Sequence, residues 1–228
     1  MKKPGKPRHK QDNSLLKSHS LSFEDWLEYF RVDMPDIDWF SDSATLLARL
    51  SQLMRSSDYL VQKYTHEEIN KLLWMLLGES GFFQVLYDDQ LPLEGRLDCI
   101  SAIGDLYGNL FFNHCSRFLS SGATEIPSDV SALNSICYMW WDIFAASPQS
   151  DAPSQKKIEQ SIINLLEALL NIDHIAIQES AVHGLGHAHY RSPAQVETIL
   201  DGFLEAKQTI APEALLTYAK AARTGCIQ

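Results

Sequence analysis

The apolar positions between Ile177 and Leu204 recur with the 3.6-residue period of two consecutive amphipathic helices. On the apolar side of the first helix lie Ile177, Ala181, Gly184, Leu185 and Ala188. On its opposite side lie Glu179, His183, Gly186, His187 and Tyr190. A face built of small residues and single aliphatic side chains lets a neighbouring helix backbone approach closely. The pattern therefore predicts a tightly packed helix pair.

The second helix is predicted to begin within a few residues of the end of the first. Ser192 is a suitable N-cap residue, Pro193 suits the first helical position, and Gln195 completes a capping-box spacing. The apolar positions that follow are Val196, Ile199, Leu200, Phe203 and Leu204. So short a connection makes the two helices antiparallel neighbours.

The helical period continues through most of the chain, and the alternation typical of strands is almost absent. Capping signals, prolines and glycines mark the ends of the helices. Helices are predicted from Ser22 to Met34, from about Ser43, from Thr65 to Gly78, from Pro92, from Ser128, around Ile162 to Leu170, and from Pro212 to Gly225. Polar loops are predicted at 120–127 and 147–154. We expect about nine helices without a sheet, which is an all-α fold.

The chain divides into a short basic tail and one larger domain. Its first 17 residues carry six Lys or Arg against one Asp and lack the apolar segment of a secretory signal. We expect residues 1–20 to be a flexible basic tail and residues 21–228 to form a single α-helical repeat-like domain. No window approaches the roughly 18 uninterrupted apolar residues of a membrane helix, so no membrane association is expected.

The domain is strongly acidic, with a formal net charge of about −15 over residues 18–228. Such a body repels nucleic-acid phosphates and attracts basic proteins, although its acidity could equally serve only to maintain solubility. The basic tail could contact RNA or an anionic surface, or be a solvated end. The four cysteines show no CxxC pairing, so we expect them to be reduced in a cytoplasmic protein: Cys99, Cys115, Cys137 and Cys226.

A weak internal repeat accompanies the helical pattern. The segment Cys99–Gly104 aligns with Ala181–Gly186 at an offset of 82 residues, which two units of about 41 residues would produce. At these residues the chain resembles the HEAT and armadillo-like superfamily, across 174–206 and again across 92–146. The resemblance implies stacked antiparallel helical hairpins in a superhelix that binds other proteins, often without catalysis. In size and acidity, the chain is also similar to helical-repeat immunity proteins of bacterial toxin systems, including the contact-dependent inhibition type.

A row of polar groups on the predicted 177–188 helix is the sharpest chemical candidate. Glu179, His183 and His187 are spaced four residues apart, so they share one face. Two histidines at this spacing can bind zinc with a carboxylate as third ligand. No glutamate adjoins the first histidine as in HExxH, and the neighbouring glycines indicate helix packing. We expect packing or interface histidines rather than a metal site, and no cofactor.

Aromatic and acidic residues supply the other candidates for partner binding. Trp140 and Trp141 point about 100° apart on a helix, so at least one is expected to enter the core while the other could anchor a partner. Asp88 and Asp89 could contact a basic partner or be solvated loop acids. Tyr190 lies at the end of the histidine row.

The sequence favours a non-enzymatic protein-binding module, since it contains no phosphate-binding loop, nucleophile elbow or dinucleotide glycine pattern. The most concrete hypothesis is an immunity-type inhibitor that occludes a basic toxin or nuclease. The partner-binding residues would be Glu179, His183, His187, Tyr190, Trp140, Trp141, Asp88 and Asp89. Two alternatives stay open: a metal-dependent enzyme built around Glu179, His183 and His187, and a regulatory adaptor in a larger assembly.

Overall fold

A computed structural model describes residues 16–17, 20–31, 37–38, 42–78, 82–121, 123–144 and 152–227. Most of the predicted basic tail, the Met34–Pro35 step and most of the predicted 147–154 loop lie outside the described residues. The helices are α1 (Phe23–Arg31), α2 (Ser43–Met54), α3 (Ser57–Lys63), α4 (His66–Gly78), α5 (Leu93–Leu106), α6 (Phe112–His114), α7 (Leu133–Phe144), α8 (Pro153–Leu170), α9 (Ile175–Ala188), α10 (Pro193–Lys207) and α11 (Glu213–Ala222). Apart from them, 3₁₀ residues Phe82–Tyr87 precede α5, and a π-helical turn, Tyr107–Phe111, joins α5 to α6.

The all-α prediction is confirmed for the described residues. The one departure from it there is a two-residue parallel pair between β1 (Leu16–Lys17) and β2 (Ile37–Asp38). Local capping chemistry explains several helix starts. At α4 the Thr65 amide donates to the Glu68 carboxylate at 2.9 Å, and the Glu68 amide donates to the Thr65 hydroxyl at 3.2 Å, as the capping-box spacing predicted.

The structure corrects one predicted helix start, that of α7, and adds detail to the caps of α10 and α2, which begin where the sequence predicted. Helix α7 begins at Leu133 rather than Ser128, because the residues before it form turns and Ser131 caps the Leu133 amide at 3.3 Å. Ser192 occupies the N-cap position of α10, but its side chain makes no capping hydrogen bond. For α2 the cap is Asp42, whose carboxylate accepts from the amides of Ala44 and Thr45.

The helices are arranged in two sets of successive neighbours. In one set α2 packs on α5, α5 on α8 and α8 on α10; in the other α1 packs on α4, α4 on α7, α7 on α9 and α9 on α11. Extensive contact between α8 and α9 joins the two sets. One hydrophobic cluster runs through the interior from Phe23 on α1 to Ala222 on α11. Three cysteines are buried, Cys226 is exposed, and all four are free thiols, as predicted.

Gly184 marks a close approach between α9 and the neighbouring helices α7 and α8. A methyl group at this position would lie 2.7 Å from Cγ of Trp141 on α7 and 2.6 Å from Cδ2 of Leu166 on α8. The leucine tip can rotate, but the indole ring is fixed in the core. The small-residue face predicted from the sequence therefore has a specific steric role here.

We expect Gly184→Ala to lower the free energy of unfolding by about 1–3 kcal/mol, because the added methyl overpacks this contact. Urea denaturation of both proteins measures the change. Gly202→Ala on α10 is the matched control, since nothing lies within 4 Å of a methyl group there. The control should be neutral or more stable by up to about 1 kcal/mol. Equal changes in both variants would rule out the steric explanation.

Candidate functional site

Two histidines on α9 and an aspartate on α7 meet where these helices pack together. Nε2 of His183 lies 3.1 Å from Nε2 of His187, and Nε2 of His187 lies 3.1 Å from Oδ1 of Asp142. The third side of this triangle, between Nε2 of His183 and Oδ1 of Asp142, is 3.9 Å. Within the described residues, these three side chains bring their ligand atoms within 4.8 Å of one another. We call them the Asp–His–His cluster.

Two tyrosine hydroxyls form a hydrogen-bonded chain that starts at His183, on the buried side of the cluster. Nδ1 of His183 forms a short hydrogen bond with the hydroxyl of Tyr218 on α11, which lies 3.1 Å from the hydroxyl of Tyr138 on α7. The Tyr138 ring also packs against the His183 ring at a centroid distance of 4.9 Å. Helix α11 thereby fixes the orientation of His183 from the side opposite to Asp142.

Burial keeps the two imidazoles neutral at neutral pH. It lowers the pKa of His183 to about 4, with a further decrease from the nearby His187 and an opposing effect of Asp142. Burial also lowers the pKa of His187, while Asp142 opposes that change through its charge and hydrogen bond. Burial raises the pKa of both tyrosines, so their hydroxyls remain protonated. The cluster thus presents two neutral imidazoles beside a carboxylate.

Glu179, which the spacing placed in a row with the histidines, is not part of the cluster. It is fully buried, and its two carboxylate oxygens accept hydrogen bonds from the amides of Ser120 and Ser121, each at 2.8 Å. Each four-residue step along a helix rotates a side chain by about 40°, so Glu179 points about 80° away from His187. Glu179 therefore holds the loop after α6 against α9 instead of joining the histidines.

Both tryptophans of the predicted aromatic anchor lie in the core. Trp140 has 0% and Trp141 2% of its surface exposed. The Trp141 ring stacks on Tyr107 at 6.0 Å, and Trp140 meets the edge of the same tyrosine. Trp140 is therefore not available to a partner at the surface, whereas the Trp141 side chain lines a cavity. Tyr190, in the turn after α9, is 81% exposed.

A largely apolar cavity of about 100 Å³ lies between α8 and α9, and two of the predicted partner-binding residues, Trp141 and His187, line it. The side chains that line it are Tyr87, Trp141, Phe144, Glu159, Ile162, Ile163, Leu166, Gly184, His187, Ala188, Arg191 and Ser192. Tyr190 lies between two of these lining residues in sequence, and Asp88 follows Tyr87 directly. At the cavity wall, Nε of Arg191 pairs with the Glu159 carboxylate at 2.9 Å.

Asp88 and Asp89 lie near the surface, in the turn that precedes α5. The Asp89 carboxylate accepts hydrogen bonds from Arg96 at 3.1 Å and from the Ser154 hydroxyl at 2.5 Å, and the Ser154 bond is the main cause of its lowered pKa. Arg96 is almost fully buried, so Asp89 provides the counter-charge for a buried guanidinium. Asp88 accepts from the Gln90 amide in the turn before α5.

The sequence pattern did not link Asp142, Tyr138 or Tyr218 to the histidines, although Tyr138 adjoins the aromatic segment that was a separate candidate. Asp142 directly follows the two tryptophans in an apolar helix, and Tyr218 lies 35 residues beyond His183, so no local spacing links them. The available signal was that Asp142 is the one charged residue of α7. It becomes meaningful only once α7 is known to pack on α9.

Comparison of the chain with protein-family models, with curated proteins and with solved structures gives no match. In the part of the chain that the structure describes, no helix is both long enough and apolar enough to cross a membrane.

Proposed function

We propose that this protein acts by binding another protein, and that its partner is basic. In the most concrete form of the proposal, it is an immunity-type inhibitor that occludes a toxin such as a nuclease and works in the cytoplasm. The observation that carries the proposal is the cavity between α8 and α9. His187 and Trp141 line it, and the exposed Tyr190 lies in the turn that also carries the lining residue Arg191.

The helix arrangement supports a scaffold related to HEAT and armadillo proteins. Pairs such as α7 with α9 and α5 with α8 belong to two series of neighbouring helices, and stacked helical hairpins bury a continuous core through contacts of this kind. Such stacks expose turns and helix faces for contact with other proteins. We also propose that the stacked helices form a superhelix, as in HEAT and armadillo proteins.

The cavity and its rim have the features of an interface anchor point. Apolar pockets that accept one side chain of a partner, surrounded by a polar rim, contribute most of the affinity in many complexes. The exposed Tyr190 adds a large aromatic surface at a low cost in conformational entropy. A partner would insert an apolar side chain beside Trp141 and cover Tyr190.

The charge distribution supports a basic partner. Several arginines are paired with the protein's own carboxylates, as in Arg55–Asp98, Arg117–Asp173 and Arg223–Asp201. Further carboxylates face the solvent: Glu24, Asp58, Glu67, Glu94, Glu125, Asp129, Glu167, Glu205 and Glu213. An acidic surface of this kind accelerates association with a basic protein and loses that effect as salt screens it. A regulatory adaptor would use the same surface on a partner without enzymatic activity.

The test is an affinity comparison between Tyr190→Ala and a matched surface variant, Phe112→Ala, which removes an exposed aromatic 42% accessible on α6. Proteins retained from a native lysate are identified, and the basic candidate is purified and its affinity measured at two salt concentrations. We expect Tyr190→Ala to weaken binding by at least about tenfold and Phe112→Ala to leave it unchanged. Added salt should weaken binding by both the parent protein and the control.

Two results would overturn this proposal. The first is that no partner is bound with an affinity that depends on Tyr190. The second is that the affinity is independent of salt concentration, which would overturn the claim that the acidic surface attracts a basic partner. Inhibition of the purified partner's nuclease activity separates the inhibitor from the adaptor, since an adaptor would bind without blocking catalysis.

A further inference from the structure

We propose that Asp142, His183 and His187 bind a divalent transition-metal ion, with zinc as the best fit. The ligand atoms are Oδ1 of Asp142 and Nε2 of each histidine. This inference goes beyond the proposed protein binding, because all three ligand atoms belong to this chain and no second protein is required.

The spacing of the three ligand atoms fits a small ion. Their separations of 3.1, 3.1 and 3.9 Å define a triangle. A point inside it lies about 2 Å from all three atoms, and about 2.0–2.2 Å is the bond length from zinc to a histidine nitrogen or a carboxylate oxygen. An ion could thus bind with little movement of the side chains. Calcium prefers oxygen ligands at longer distances, and the two nitrogens disfavour magnesium.

The surroundings of His183 orient it as a ligand. A metal-binding imidazole usually donates its other ring N–H to a fixed acceptor, which holds the tautomer and the ring plane. Here the Tyr218 hydroxyl occupies that position at Nδ1, and Tyr138 supports Tyr218 in turn. With the proton on Nδ1, Nε2 of His183 carries an unprotonated lone pair and is available as a ligand atom.

The site also has room for a further ligand. The side chains of Asp142 and His187 are 43% and 29% exposed, whereas that of His183 is 3% exposed. Solvent therefore reaches the ion from one side, where a water molecule or a donor of another molecule can complete four-coordination. Two histidines, one carboxylate and an open position are the donor set of several catalytic zinc sites and of non-haem iron(II) sites.

Binding would connect three helices. The ion would join α7 to α9 directly, and the Tyr218 hydrogen bond extends the connection to α11. Because the unfolded chain does not hold these groups together, bound zinc stabilises the folded protein in proportion to the logarithm of its concentration over Kd.

The experiment is a zinc titration of untagged, full-length protein after removal of metal with a chelator, followed by calorimetry and elemental analysis. We expect one tightly bound zinc per chain and no comparable binding of magnesium. The variants Asp142→Asn and His187→Ala should each weaken binding by at least about tenfold, and Tyr218→Phe by about 10- to 100-fold through loss of the support for His183. Circular dichroism confirms that each variant remains folded.

His189→Gln is the matched control, because it removes a neighbouring histidine that contacts Glu197 and lies outside the cluster. Its zinc affinity should equal that of the parent protein. Absence of stoichiometric zinc binding would overturn the proposal. Stoichiometric binding that survives both Asp142→Asn and His187→Ala would place the ion elsewhere and also overturn it. Tighter binding of iron(II) than of zinc would support a metal site at these three residues but would overturn its assignment to zinc.

Discussion

Replacement of Trp140 by alanine is expected to lower the free energy of unfolding by about 3–5 kcal/mol. Trp140 is completely buried, and its ring meets Phe83, Tyr107 and Phe111 edge-on at centroid distances of 6.0, 6.3 and 6.2 Å. Truncation removes the apolar area of the largest side chain type and leaves a cavity that rigid aromatic neighbours cannot fill. Equilibrium denaturation in urea measures the loss.

Two further variants make this expectation specific to burial. Trp140→Phe should cost less, because it keeps an aromatic ring and removes an indole N–H that is buried and has no hydrogen-bond partner among the described residues. Tyr190→Ala, on an 81% exposed aromatic, should change stability by less than about 0.5 kcal/mol. A small effect of Trp140→Ala would mean that α7 does not pack in the core as described.

Replacement of Glu179 by alanine is expected to lower the free energy of unfolding by about 2–4 kcal/mol. Its carboxylate accepts from the amides of Ser120 and Ser121, and these bonds join the loop after α6 to the centre of α9. Truncation leaves two backbone donors in a part-buried site without their acceptors. Denaturation monitored together with hydrogen exchange at Ser120 and Ser121 tests both the stability and the local role.

Glu179→Gln is the matched variant for the charge. Its amide can accept through only one oxygen, so it should lose part of the stability at neutral pH, but less than alanine does. Burial raises the pKa of Glu179 above its ordinary value of 4.5, while the two serines oppose the change. The stabilisation from this tighter proton binding is fully present below the unfolded-state pKa and is lost as the pH rises through the folded-state pKa. That component should disappear in Glu179→Gln, and an unchanged pH profile would contradict the burial of the carboxylate.

The aromatic residues show the limit of reading chemistry from one chain segment. Helical geometry predicted that at least one of Trp140 and Trp141 enters the core, and the structure buries both. Two adjacent side chains can both be buried because α7 is covered on two sides, by α4 and by α9. The pattern of residues within α7 does not show that a second helix packs against it.

The histidine row shows the same limit at the candidate site. The spacing of His183 and His187 correctly predicted that the two rings meet on one face of α9. The carboxylate beside the two histidines is not the predicted Glu179. It is Asp142, because α7 packs against the face of α9 that carries the histidines. No pattern within 177–188 could identify a carboxylate that lies more than 40 residues earlier in the chain.

The sequence by itself determined the all-α class, the capping box of α4, the reduced cysteines and the small-residue face at Gly184. Each of these depends on helical periodicity, on hydrogen bonds within one turn or on residue type, which are local properties. Only the tertiary structure decided which polar groups meet, which aromatic residues are exposed and where the cavity lies. Those features depend on the packing of helices such as α7, α9 and α11, whose positions are set by burial of apolar surface across the whole chain.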